Sequence, residues 1–339
     1  MTLQDALNTV IENQDLTQDQ AADIAGVIMR GEATQAQIGG FLVALRMKGE
    51  TVDEIAGFVR AMRENAIPCP MTVPVVDIVG TGGDHAGTFN ISTTTAFVVA
   101  GAGGAVAKHG NRGVSSRSGA ADVLQTLGLA LDLSPEQVAQ CVEKTGVGFL
   151  FAQSFHPAMK HVGPARREMA VRTVFNLLGP MTNPAGTKRL VIGVYAKRWC
   201  RPLAEALAIL GTEKAWVVHG SDGLDELTTT GPTHVVEWNG KDIREFDVAP
   251  ADLGIAQASD SDLKGGGPEE NAAILRRILS GEKGPKRDIV VFNAAAALYV
   301  AGKAPSFRDG AELAIRSLDS GAAARTLESL IALSKELRP

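Results

Sequence analysis

The sequence predicts an α/β protein in which a small helical domain packs on a larger α/β domain with a mostly parallel sheet. Three observations carry this. The first 66 residues repeat apolar side chains at helical spacing with little glycine or proline inside the segments. Pro68, Pro70 and Pro74 then mark a connector. Beyond it, short apolar runs alternate with helical ones, the pattern of strands joined by crossover helices.

In the helical part, Leu3, Leu7, Val10 and Ile11 share one face. Thr17 opens a second segment ending at Met29, Thr34 a third ending at Arg46 and Thr51 a fourth ending at Arg63, since a threonine hydroxyl can accept from the otherwise orphaned amides of a first turn. Strands are expected at residues 75–80, 104–110, 147–152, 190–195, 215–220 and 234–238, and helices at 91–102, 117–127 and 135–145. The last 70 residues read as helical and rich in Ala and Leu. The expected division is residues 1–70, joined by part of 160–185, against 71–339.

Composition narrows the function. The chain has 339 residues, 45% of them apolar, with a net charge of −5 and mean hydropathy of +0.05, which describes a globular protein with a sizeable core. Aromatics are only 5%, too few for a base-stacking platform. With the acidic balance they argue against a nucleic-acid binder. The longest uncharged stretch, residues 85–107, is broken by Asn90, Ser92, threonines and glycines, so no membrane span is expected. The acidic, amphipathic start does not read as a signal peptide, and three widely spaced cysteines suggest no disulfide framework. A cytoplasmic location is expected.

The net charge hides a pattern. Residues 108–201 carry 13 basic and 5 acidic side chains, whereas residues 1–107 carry 5 and 12 and residues 202–339 carry 15 and 21. A cationic centre between anionic ends suits a small, highly charged anion; uneven surface charge is the alternative.

Four segments carry chemistry. Gly80-Thr81-Gly82-Gly83-Asp84 ends a strand, with Thr88 and Asn90 to Thr94 beyond it; glycines there let amides turn toward phosphate, and hydroxyls can donate to it. The pattern is neither a Walker nor a Rossmann loop, and a simple turn plus helix cap stays open. Lys108-His109-Gly110-Asn111-Arg112, followed by Gly113, Ser115, Ser116 and Arg117, gathers polar groups at a second strand-to-helix junction, an arrangement suited to an anion. Asp225-Glu226, in DGLDE, are adjacent carboxylates that need a cation or full solvation. Mg²⁺ is the economical cation beside phosphate loops, and a solvated acidic turn is the alternative. Finally, Arg166 or Arg167 offers a fork to a carboxylate, or a solvated helix face, ahead of Asn176 to Asn183.

Taken in order, GTGGD…TFNIST, KHGNR..SS.SG.ADVL, RRE…RT.FNLLGP.TNP and DGLDE resemble the anthranilate phosphoribosyltransferase family over nearly the whole chain. The resemblance implies a nucleoside phosphorylase/phosphoribosyltransferase-like fold and a homodimer formed through the helical domain. It also implies transfer of the phosphoribosyl group of phosphoribosyl pyrophosphate to anthranilate, in tryptophan biosynthesis, with Mg²⁺ as cofactor. The donor would lie on Gly80, Gly82, Gly83, Asp84, Thr88, Asn90, Ile91, Ser92 and Thr93, with the stretch Lys108, His109, Gly110, Asn111, Arg112, Gly113, Val114, Ser115 and Ser116, and Ala120 beyond it. Gly80, His109, Asn111, Arg166, Gly179 and Pro180 would meet anthranilate, Arg166 facing its carboxylate. Ser92, Asp225 and Glu226 would hold the metal. No covalent nucleophile or general base is assigned, His109 being the nearest candidate.

Two positions depart from the family pattern: His85 stands where a glycine commonly follows GTGGD, and Ala120 where serine often stands in SGSAD. The first bears on loop flexibility, and the second removes a hydroxyl. A pyrimidine nucleoside phosphorylase, with related architecture, and a nucleic-acid-binding relative using the basic stretch are the alternatives; KHGNR and the acidic pair favour a diphosphate donor over free phosphate, and strong salt dependence would mark the nucleic-acid binder.

Overall fold

In the computed structural model, which describes residues 1–113 and 117–338, the chain opens with α1 (Leu3–Ile11), α2 (Gln18–Met29), α3 (Gln35–Lys48) and α4 (Val52–Glu64). Each begins with a reciprocal cap. In α2, for example, the Thr17 hydroxyl accepts from the Gln20 amide at 3.3 Å while the Gln20 side chain accepts from the Thr17 amide at 2.9 Å. Buried Glu54 accepts from the amides of Leu16 and Thr51 and pairs with Lys48 at 3.0 Å, tying the α1–α2 turn to α4.

The rest of the chain builds a seven-stranded sheet. In chain order come β1 (Val76–Gly80), α5 (Ile91–Gly101), β2 (Val106–Gly110), α6 (Ala120–Leu127), α7 (Pro135–Thr145), β3 (Val147–Phe151), α8 (Ala152–Phe155), α9 (Gly163–Met169), α10 (Phe175–Leu178), β4 (Arg189–Gly193) and α11 (Cys200–Ile209). Then follow β5 (Lys214–Gly220), β6 (Thr233–Trp238), β7 (Ile243–Val248), α12 (Pro268–Leu279), α13 (Pro285–Val300), α14 (Phe307–Asp319) and α15 (Ala322–Leu337). The strand order is β3-β2-β1-β4-β5-β6-β7; β6 pairs antiparallel with both β5 and β7, and the other pairs are parallel.

The pleat sends alternate side chains to two cores. Ile78, Val191, Trp216 and Val218 join the core built with α5 and α12 to α15. Leu190, Ile192, Ala215 and Val217 face the other, which contains α1 to α4, α11 and apolar residues of 162–181. The sheet is covered on both sides, which is why its parallel strands read as continuous apolar runs.

Two expectations need correcting. β7 escapes the sequence reading because it is an edge strand whose Arg244, Glu245 and Asp247 are exposed, a common guard against edge pairing. The helix expected from 117 begins at Ala120, because Asp122 accepts from the amides of Gly113 and Gly119, both at 2.9 Å, and holds the preceding loop off the helix.

The chain runs to β2 and β3 on one side of β1 and returns to β4 on the other. The carboxyl end of β1 is thus a topological switch point, where open α/β sheets leave a crevice for ligands.

Candidate active site

The glycine loop leaves β1 at that crevice. Thr81 donates its amide to the Gly193 carbonyl at 2.9 Å. Gly82 and Gly83 then adopt φ of 72° and 79°, which only glycine reaches cheaply. The Gly82 amide donates to Asp225 Oδ2 at 2.6 Å, so the loop closes onto the acidic segment 143 residues later. A Cβ on Gly80 would stand 2.3 Å from the same carboxylate oxygen. The far arm is held by an antiparallel bridge between Thr88 and Lys264. Asn90 then leads into α5 without capping it; the Ile91 amide donates to the Phe89 carbonyl at 2.8 Å and the Ser92 amide to the Glu226 carboxylate, which ties the acidic pair to the start of the helix.

Lys108 is buried at the end of β2 and donates to the Ile78 carbonyl at 2.7 Å and to Ser92 Oγ at 3.3 Å. Burial lowers its pKa, opposed by Asp77, Glu226 and Asp225. The carboxylates are perturbed as well. Burial, then the nearby Asp84 and Glu226 charges, push Asp225 well above the carboxylate range. Burial raises Glu226 to about 7, although Lys108 and the Ser92 hydroxyl and amide favour its ionised form. The acidic pair is therefore no solvated turn. Negative charge is in excess, every candidate ligand atom is a hard oxygen, and the residues fit Mg²⁺. Among the described residues no three His, Cys, Asp or Glu side chains form an ion cage by themselves, so Ser92, substrate oxygens or water would complete the shell.

His109, buried beside Lys108, donates its backbone amide to Asp77 Oδ1 at 3.3 Å. Its ring lies 5.0 Å from that of His156. Burial, with His156 nearby, pushes His109 down to about 3 even though the Gly179 carbonyl bonds the ring; burial takes His156 to about 4. Both imidazoles are neutral at pH 7, and the Nε2 of each has no hydrogen-bond partner among the described residues. The Gly179 bond joins β2 to the turn that carries Pro180.

The remaining positions separate. Arg166, on α9, is half-buried with its guanidinium 5.6 Å from the Phe175 ring centre, and burial lowers its pKa. No carboxylate among the described residues lies within ion-pair distance of it. Arg167 is exposed. Asn111 accepts from Gln153 at 3.4 Å. Arg112 is engaged by Asp122 at 2.9 Å, so it faces its own loop. Ala120 starts α6, and a Cβ on Gly110 would lie 3.2 Å from its methyl. Val114, Ser115 and Ser116 lie outside the described residues.

The sequence reading missed three features. Asp77 is a fully buried carboxylate that accepts from Asn183 at 2.7 Å and from the amides of Ile78 and His109. His156 pairs with His109. Asp84 faces the acidic pair. Only Asp77 leaves a local signal, a lone carboxylate within an apolar strand.

Comparison with known proteins identifies the fold and the family. Residues 72–324 match the model of the α/β domain of a glycosyl transferase family, and residues 4–66 that of the family's helical bundle domain. An anthranilate phosphoribosyltransferase from Parvibaculum lavamentivorans is 56% identical, the match covering 95% of this chain and 94% of that one. The crystal structure of the Thermus thermophilus anthranilate phosphoribosyltransferase superposes with a TM-score of 0.93 at 49% identity, over 98% and 99% of the two chains. The Saccharomyces cerevisiae protein, in complex with PRPP and Mg, gives 0.90 at 29% identity over 98% of each chain. A complex of the yeast protein with 4-fluoroanthranilate gives 0.88 at 28% identity over 99% of each chain.

Proposed function

The chain belongs to the anthranilate phosphoribosyltransferase family, and on that premise we propose how its own side chains carry the reaction. The enzyme transfers the phosphoribosyl group of phosphoribosyl pyrophosphate to the amine of anthranilate, giving N-(5-phosphoribosyl)anthranilate and pyrophosphate in tryptophan biosynthesis, with Mg²⁺ as cofactor. The observation that carries the residue assignment is the hydrogen bond from Gly82 to Asp225, which builds the phosphate loop and the acidic pair into one site.

In this reading the Gly83 amide, Thr88 and Lys108 receive the diphosphate, while Gly82, its own amide held by Asp225, lets the donor approach the loop backbone. Lys108 has three protons and spends two on Ile78 and Ser92, leaving one for the donor. Ser92, Asp225 and Glu226 hold Mg²⁺, with Asp84 beside them. The metal, when bound, neutralises charge that builds on the leaving pyrophosphate. Arg166 forks onto the anthranilate carboxylate, and Gly179-Pro180 bounds the ring beside His109 and Asn111.

Anthranilate's amine is an aromatic amine, neutral at pH 7, and needs no strong base to free its lone pair. His109 is a weak base with its pKa near 3. One ring nitrogen is fixed on Gly179, and the other accepts an N–H from the amine to aim the lone pair at the anomeric carbon. Holding both reactants in line supplies the proximity term.

The unit that closes over the acceptor comprises residues 1–70 and part of 160–185, which share a core through Val162, Ala165, Phe175 and Leu178. Two copies pair through this helical unit, where Ile11 and Met47 are 65% and 82% exposed on α1 and α3. The location is the cytoplasm, consistent with three free cysteines. Among the described residues no helix is long and apolar enough to cross a membrane.

Loss of anthranilate fluorescence with release of pyrophosphate, dependent on both donor and Mg²⁺, tests the reading. Consumption that survives chelation would sink the metal assignment.

A further inference from the structure

Arg172 lies between α9, which carries Arg166, and α10, which leads to Gly179-Pro180. Ala170 ends α9 in the left-handed region at φ 50° and turns the chain back toward the sheet. From there the Arg172 side chain crosses to the donor loop. Its guanidinium stacks on Tyr195, 4.2 Å from the ring centre. Nη2 donates to the Gly83 carbonyl and lies 3.4 Å from His85 Nε2. Behind it, the Arg172 carbonyl accepts from Arg46 of α3.

The loop needs such support. Gly83 and His85 both have positive φ, 79° and 58°, and the left-handed region is unfavourable for a residue with a Cβ. Asp225 fixes the start of the loop through Gly82 and the Lys264 bridge fixes its end at Thr88. Between them, Arg172 reaches the loop from the chain segment that carries the acceptor residues. Tyr195 sets the height of the guanidinium and is itself pinned, its amide donating to Thr81 Oγ1 of the same loop at 3.1 Å.

We propose that Arg172 is a positioning residue that couples the two substrate sites: ordering of the 166–180 segment by the aromatic acid is transmitted through Gly83 to the diphosphate loop. The proposal rests on the assignment of that loop to the phosphoribosyl donor. Coupling between two binding sites is reciprocal, so each ligand tightens the other by one factor.

The test measures donor dissociation constants by calorimetry in Mg²⁺, with and without benzoate, which keeps the carboxylate and ring but has no amine to react. In the wild type, benzoate tightens donor binding, by about fivefold or more on the usual scale of such couplings. Arg172→Met weakens donor binding roughly tenfold, as loss of a charged hydrogen bond does, and brings the benzoate effect to none. Arg172→Lys, which keeps the charge and one donor but loses the planar stack, falls between. A merely structural defect would weaken donor binding and leave the ratio with and without benzoate intact; that result overturns the proposal, as does a donor constant within twofold of wild type. Should Arg172→Met fail to fold, Tyr195→Leu removes the ring beneath the guanidinium and must lower the benzoate effect in the same direction. Wild-type turnover is measured alongside: no turnover condemns the functional reading itself, whereas turnover with an undiminished benzoate effect in the variants condemns only the coupling.

Discussion

Gly193 has no room for a side chain because the Asp225 backbone stands where one would go: a Cβ there would lie 1.6 Å from the Asp225 carbonyl oxygen. Gly193 also lies beside Gly80 in the parallel register of β1 and β4, and Gly80 is closed by the Asp225 side chain. One acidic residue therefore occupies the space over two neighbouring strand ends, and two glycines are what admit it.

Gly193→Ala follows directly. Backbone rather than a flexible side chain blocks the new methyl, so the 225–226 segment must shift. A destabilisation of about 1–3 kcal/mol is expected, the range for overpacking a filled site, and denaturant unfolding reads it. Mg²⁺ titration of activity should move to higher concentration in the same variant. Unaltered Mg²⁺ dependence would separate Gly193 from the acidic pair.

Much of this was legible in the sequence, and the limits have a physical cause. The threonine caps of α2, α3 and α4, the strand-loop junctions at Gly80 and Gly110 and the acidic pair at 225–226 are local patterns, and local hydrogen bonding or repulsion dictates them. What was not legible is adjacency created by sheet register. Gly193 reads as an ordinary member of an apolar strand until Asp225 is placed over it. His156 carries no sign of His109, nor Arg172 of Gly83. Arg112 looked free for phosphate, and only the fold shows Asp122 holding it.

Glu226→Gln distinguishes a metal ligand from a structural carboxylate. The substitution keeps the shape and removes one charge from a crowded group whose pKa is already raised to about 7 by burial. Metal-free unfolding should therefore occur at an unchanged or higher temperature. Wild type should gain stability on adding Mg²⁺ with donor, and the variant should gain less, since ligand stabilisation scales with affinity. Turnover should fall by at least about 100-fold, the scale for losing a group that stabilises transition-state charge. A less stable metal-free variant with normal Mg²⁺ dependence would make Glu226 structural.

Arg166 and Arg167 adjoin in sequence but differ in setting: the first is half-buried against Phe175 and the second exposed. Arg166→Ala should raise the KM for anthranilate roughly 10- to 100-fold, consistent with loss of a charge-assisted fork, and leave the KM for the donor nearly unchanged. Arg167→Ala should change neither by more than about twofold. Steady-state kinetics with each substrate varied in turn decides it; a selective effect on the donor would misplace the acceptor pocket.

The His109–His156 pair makes a prediction about acid. Both folded-state pKa values are depressed, to about 3 and about 4, from the ordinary 6.5. As pH falls through 6.5 the unfolded chain takes up protons that the folded chain refuses. The stability associated with the neutral pair is thus fully present above pH 6.5 and declines below it, by at most about 1.4 kcal/mol per pH unit for each histidine. The decline continues toward pH 4 for His156 and pH 3 for His109. His156→Phe should shallow the fall of Tm between pH 6.5 and 4, because one of the two titrating groups is gone. Activity should behave differently. An imidazole neutral throughout has nothing to lose between pH 6 and 8, so kcat/KM should show no limb there that depends on His109. A limb near pH 6.5 abolished by His109→Asn would mean that the residue exchanges a proton with substrate, and the aiming role assigned to its free nitrogen would be wrong.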